Sequence, residues 1–286
     1  MPLTKFLDPK NDIAFKKIFG TEKNKDILIH FLNDMLVFRE KKPITEVTFL
    51  KTIQDPEIAS RKTSIVDILC KDEAGNSYVV EMQVAKSKGF EKRAQYYAAK
   101  AYISQMDKGD TKYYNLKEVI FLAIADFIMF PDKESYKSDH VILDKDTYQN
   151  DLKDFSFTFL ELEKFRKGKD ELHTMLEKWS YYFKHAEETS EEDLHAIFEQ
   201  DTFILRAYEE LDRFHWQEEE LRAYESVVKR ELDHEAVMEQ KFDEGMEKGI
   251  EKVAQSMLNK GMSIETICDV TGLSSSELET LKKNFH

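Results

Sequence analysis

The stretch from Ser64 to Ala85, SIVDILCKDEAGNSYVVEMQVA, constrains the chain most. It reads as two apolar strands joined by the polar turn DEAGN. Each strand carries one carboxylate where an apolar side chain belongs, Asp67 in SIVDILC and Glu81 in YVVEMQV. The midpoint of 67 and 81 is 74, inside the turn, so a simple hairpin sets the two side chains opposite each other. Directly opposed residues on one sheet face have Cβ atoms about 4.5–5.5 Å apart. Two carboxylates about 5 Å apart repel by about 3 kcal/mol at an effective dielectric of about 20. A sheet keeps such a pair only with a compensating cation or a shared proton. Two readings follow: a divalent metal held by both acids, or a separate salt bridge from each acid to a nearby Lys or Arg.

Glu81 and Gln83 share one face of the second strand because the strand period is two. Val79, Val80, Met82 and Val84 make that strand apolar on both faces, the pattern of a buried strand. A buried carboxylate is disfavoured unless paired or metal-bound. Magnesium is held through one or two carboxylates together with substrate phosphates and waters, and one Asp with one Glu supplies that number.

The remaining chain frames this hairpin with alternating elements. Apolar residues recur at helical spacing over 11–36, with Gly20 dividing two helices. Residues 44–53 read as a strand and 90–106 as a helix. Val119 to Phe127 is a continuous apolar run that reads as a central buried strand, and Phe155 to Phe165 alternates like another. From about residue 168 the spacing is helical only, ending in two short helices around Thr271 and Gly272. The expected architecture is therefore an α/β (α+β) core over 1–167 and an acidic helical extension over 168–286. With 41% hydrophobic residues and only 9 Gly and 5 Pro in 286, the chain can bury a full core. Trp179 and Trp216 lie on helical segments and are expected in that core.

Charge is divided along the chain. The net value is −14, yet residues 1–120 hold 21 Lys and Arg against 17 Asp and Glu. Residues 121–286 hold 21 against 39. The part with the hairpin is mildly basic, and only the local field matters for a polyanion at a site. Lys86 and Lys88, then Lys92, Arg93 and Lys100, lie on or just before the helix that follows the hairpin, and cations there suit phosphate contacts. Arg93 is the best placed, since a guanidinium grips phosphate bidentately. The alternative for these cations is a solvated helix face. Residues 261–281 contain four acids and no Lys or Arg. That final helical pair is accordingly read as a protein-contact element, able to self-associate, rather than a DNA reader.

Other chemistries lack their motifs. The eight histidines show no HExxH, and there is no Gly-rich phosphate loop, GxSxG or GxGxxG, so no nucleotide cofactor is expected. The two cysteines, Cys70 and Cys268, form no CxxC pair and no disulfide framework. The N-terminus has no apolar signal region, and Val119 to Ala125 is too short to span a bilayer. A reducing cytoplasm without membrane attachment is the expected compartment.

The order strand, Asp, turn, strand, Glu-x-Gln, helix is similar to the PD-(D/E)XK nuclease superfamily. More narrowly, the chain resembles the recombination-promoting nuclease (Rpn) or putative transposase family. The stretches that carry the resemblance are PKNDIAFKKIFG (9–20), VDILCKDEAGNSYVVEMQ (66–83), RAQYY (93–97), KGDTKYYNLKEVIFLAI (108–124), FLELEKF (159–165) and KGMSIETICDVTGLSSSEL (260–278). The resemblance implies a restriction-endonuclease-like mixed sheet flanked by helices. It implies cleavage of DNA by metal-activated water, with Mg²⁺ as the ion and Mn²⁺ as a substitute. Asp67 would take the place of the metal-binding Asp, and Glu81 that of the second acid. Gln83 stands where the superfamily motif has Lys: it can orient a water but cannot offset charge. Lys62 and Lys86 are the candidates for the missing cation, and with Arg93 and Lys92 they would hold the DNA. Asp12 is a candidate third metal ligand from the first helix; the alternative is an acid favoured there by the helix dipole. The competing reading is a nuclease fold without turnover, binding DNA or protein through its acidic helical end.

Overall fold

The computed structural model describes residues 4–36, 42–50, 66–106 and 111–283. They divide into two compact units, residues 1–225 and 226–286.

In the first unit, α1 (Asp12–Phe19) starts where the Asn11 side chain accepts a hydrogen bond from the Ile13 N–H at 3.0 Å. It stops at Gly20, where an added Cβ would stand 2.8 Å from the Lys16 carbonyl oxygen. The break expected at Gly20 is observed, and a side chain there would force a shift. α2 (Lys25–Met35) follows, and the two helices bury Phe15, Ile18, Phe19, Ile27, Leu28, Phe31, Leu32 and Met35. These side chains meet α4 (Met175–His185): the Trp179 ring lies 5.8 Å from Phe19 and 5.2 Å from Phe31. Trp179 is fully buried and Trp216 nearly so, as expected of core residues. α5 (Glu191–Phe198) and α6 (Thr202–Leu211) complete this helical layer. A backbone bridge from Phe6 to Asp212 ties its far end to the N-terminal segment.

The sheet has six strands in the order β1 (Val47–Phe49), β2 (Ile68–Asp72), β3 (Ser77–Gln83), β4 (Val119–Ala125), β6 (Phe155–Glu161), β5 (Lys137–Val141). β1, β2 and β3 run antiparallel, β3, β4 and β6 run parallel, and β5 returns antiparallel on the outer edge. Every residue of β4 is buried, as its unbroken apolar run predicts. The β3–β4 connection carries α3 (Phe90–Ile103), whose Ala94, Ala98 and Ala101 pack into the same core as Val79 and Phe121. This is a restriction-endonuclease-like α/β arrangement. β5 has no counterpart in the sequence reading: KSDHV is polar and half exposed, so an edge strand of this kind shows no alternation. The strand expected over 44–53 is three residues long, and residues 51–53 lie outside the described ones. The strand expected to reach Phe165 ends at Glu161 in a short 3-10 turn.

Beyond Lys167 every regular element among the described residues is helical. The 42-residue helix α7 spans Glu218–Asn259. In the second unit α8 (Ile264–Thr271) and α9 (Ser275–Lys283) pack with α7 through Ala254, Ile267 and Leu278.

Candidate active site

The hairpin register pairs Ile68 with Val80 and Lys71 with Ser77, and one further step sets Asp67 opposite Glu81. The opposition deduced from the turn midpoint is therefore the one observed. Each acid is anchored on the other's strand. Asp67 Oδ2 accepts a hydrogen bond from the Met82 N–H at 2.8 Å, and Glu81 Oε2 accepts one from the Asp67 N–H at 3.2 Å. Glu81 is 5% exposed. Burial pushes its carboxyl up to about 8, with the Asp67 charge as the second cause. Burial likewise raises Asp67 to about 6, against the Met82 N–H and Lys16, which favour its charged form. Two desolvated carboxyls face each other here, so ionising both is costly without a cation, which is the arrangement that makes a site cation-seeking.

Two side-chain cations already answer that demand. Lys16, on α1, sets its Nζ 3.4 Å from Asp67 Oδ1 and 2.5 Å from Asp12 Oδ1. Burial works against the Lys16 charge, but the two aspartates overcome it and raise the group above its ordinary value. On the other side Arg93 reaches Glu81 Oε1 at 4.0 Å. Its guanidinium donates to Gln83 Oε1, while Gln83 Nε2 donates to Glu81 Oε1 at 3.1 Å. Gln83 thus bridges Arg93 and Glu81. α3 delivers Arg93 because its first residue follows Gly89 at φ 79°, a left-handed conformation that glycine adopts at little cost, and the Gly89 carbonyl accepts the Arg93 N–H.

The helix following the hairpin therefore does bring Arg93 to the acids, turned inward onto Gln83. Lys92 lies exposed on the same helix. Lys86 donates to the Ile128 carbonyl at 3.1 Å. Lys62 lies outside the described residues. Lys16 was missed by the sequence reading, although its signal was present: it stands one helical turn after Asp12, so a helix that delivers one delivers both. Lys10 was missed as well. It pairs with Asp126 at 2.7 Å, and the Asp126 N–H donates to the Gln83 carbonyl beside the site.

Among the described residues no group of three His, Cys, Asp or Glu side chains is gathered to hold a metal. The donors that do converge are carboxylate oxygens from Asp67 and Glu81, with the Gln83 amide beside them. That set fits a hard divalent cation that takes one or two protein carboxylates and completes its shell elsewhere. It lacks the Cys and His that dominate zinc sites.

No helix of the described residues is long and apolar enough to cross a membrane. No curated protein and no solved structure matches the chain. Residues 247–283 match the model of the Rpn/YhgA-like nuclease family, C-terminal HTH domain, so the final helices read above as a protein-contact element correspond to a helix-turn-helix domain. Residues 9–241 match the PD-(D/E)XK nuclease family transposase, and with the Asp67–Glu81 hairpin at its centre the chain belongs to that family.

Proposed function

We propose that the protein is a divalent-metal-dependent DNA endonuclease, with Mg²⁺ as the natural ion and Mn²⁺ able to replace it. The observation that carries this reading is the facing pair of desolvated carboxylates, Asp67 and Glu81, at the end of a buried hairpin. A bound divalent ion would supply water activation and polarisation of the phosphodiester. Asp67 and Glu81 would hold that ion; Asp12, paired with Lys16, would join them only once that pair opens. Gln83, fixed by Arg93, would orient the attacking water through its amide. Lys92 and Lys86, with Lys62, would position the DNA backbone without reading sequence. On this reading residues 1–167 carry the chemistry, and residues 168–286 form an acidic helical extension.

The test is nicking of supercoiled plasmid in Mg²⁺ or Mn²⁺, with and without EDTA, by wild type and Asp67→Ala. Cleavage that needs the ion and is lost in the variant supports the reading; no cleavage by wild type in either metal overturns it. The second reading, a nuclease fold that binds DNA without cutting, is favoured by Gln83 in the position of the motif lysine. It predicts metal-independent retention of DNA in a gel shift with no nicking.

For the helix-turn-helix, the absence of Lys and Arg across residues 261–281 favours self-association over groove binding. Sedimentation of the full chain, compared with a chain ending at Glu225, separates the two. Fewer chains per particle after truncation supports association. An unchanged number of chains per particle with weakened DNA retention supports DNA contact.

A further inference from the structure

We propose that Lys16 is the exchangeable cation of this site: it bridges Asp12 and Asp67 when no divalent ion is bound, and transfers to the scissile phosphate when one is. The proposal rests on the nuclease reading above and supplies the positive charge that Gln83 lacks.

The two lysines of NDIAFKK have different partners. Lys17 is held by Glu220 at 2.5 Å and lies 4.5 Å from the centre of the Trp216 ring. Lys16 faces the hairpin, where its ammonium spans carboxylates from two separate elements, Asp12 on α1 and Asp67 beside β2. An ammonium between two carboxylates occupies the electrostatic position of a divalent ion at half the charge. The two cations compete for the Asp67 Oδ1 lone pairs, so binding of one weakens the other. Once displaced, Lys16 keeps a flexible four-carbon stem and three donors. Its side chain is 34% exposed, so part of it already meets solvent. A phosphate arriving at the carboxylates brings negative charge to the place Lys16 has just left. Arg93 is engaged by Gln83 and Glu81. Lys16 is then the side chain positioned to neutralise charge developing on the phosphate, the role of a preorganised cation in phosphoryl chemistry.

Four measurements test this. Calorimetric titration of Mn²⁺ into the DNA-free protein is expected to show Lys16→Met binding the ion about tenfold tighter than wild type. At saturating Mn²⁺ the same variant is expected to cut plasmid about 100-fold more slowly. Placing the lysine in the motif position instead, in the double variant Lys16→Met/Gln83→Lys, is expected to recover at least about tenfold of that loss. Reductive methylation of wild type, read by peptide mass, does not depend on any variant folding. Labelling of Lys16 is expected to rise when Mg²⁺ is added, while Lys17 is unchanged. Equal or weaker Mn²⁺ affinity in Lys16→Met, undiminished cleavage at saturation, or Lys16 labelling indifferent to Mg²⁺ each overturns the proposal. Wild type that binds no divalent ion and cuts no DNA overturns the nuclease reading itself, an outcome distinct from these.

Discussion

Asp67 and Glu81 hold each other through the backbone: the N–H of Asp67 donates to the Glu81 carboxylate at 3.2 Å, and the N–H after Glu81, that of Met82, donates to the Asp67 carboxylate at 2.8 Å. The reciprocal bonds fix both side chains on one face of the hairpin while leaving their like charges opposed. Rigid acids in this state are prepared for a cation before one arrives. The same geometry decides what substitutions there do.

Glu81→Gln is expected to abolish cleavage. Without metal it removes one of two opposed charges, a gain of about 3 kcal/mol at an effective dielectric of about 20. It also removes an acceptor: one Glu81 oxygen takes the Asp67 N–H and the other takes Gln83 Nε2, and a Gln has a single oxygen. An unsatisfied buried donor costs about 1–3 kcal/mol. The net is a metal-free stabilisation of about 1 kcal/mol at about pH 8, read as a higher Tm in EDTA. A lower Tm would mean that Glu81 is held chiefly by its partners.

The metal-free protein is expected to lose stability as pH rises from about 4.5 to about 8. Both carboxyls have folded-state values above their ordinary ones, Asp67 at about 6 and Glu81 at about 8. In that window the folded state binds more protons than the unfolded state, so stability falls with pH. A divalent ion favours the ionised pair and reverses the trend. Thermal melts at about pH 5 and pH 8, with EDTA and with Mg²⁺, check this: the Mg²⁺-induced rise in Tm should be larger at the higher pH.

Arg93→Ala is expected to lower cleavage about 100-fold at saturating Mg²⁺, the scale for losing one positioned polar group. The loss acts through Gln83, which would keep its bond to Glu81 but lose the guanidinium that fixes its carbonyl oxygen. Gln83→Ala should then add little to Arg93→Ala. A double-mutant cycle on the cleavage rate measures this, and additive losses would show that the two side chains act independently.

Lys92→Ala is expected to weaken DNA retention by a similar factor on unrelated sequences. The slope of log affinity against log salt should fall by about 1, as for one phosphate contact. Gel shifts in EDTA across a salt series provide the measurement. An unchanged slope would place Lys92 on a solvated face.

Much of this centre was legible in the residues. The hairpin register followed from a turn midpoint, because period-two pairing leaves one choice once the turn is located. The burial of Glu81 followed from apolar neighbours on both faces. The helix break at Gly20 and the central strand Val119–Ala125 followed from spacing and continuous apolarity. The edge strand Lys137–Val141 carried no signal, because KSDHV is polar and half exposed and shows no alternation of apolar residues.

The cations were a different matter. Lys62 and Lys86 were the candidates for the missing cation; Lys62 lies outside the described residues, and the ammonium that reaches Asp67 is that of Lys16, some 50 positions earlier in the chain. Arg93 was expected to face phosphate and instead fixes Gln83.

By itself, the sequence determined the hairpin, the two opposed acids and the need for positive charge between them, since these depend on local periodicity and on the cost of burying like charges. Only the tertiary structure decided which cations answer that need. The tertiary arrangement brings Lys16 of α1 and Arg93 of α3 to the acids, and long-range packing leaves no trace in the spacing of residues along the chain.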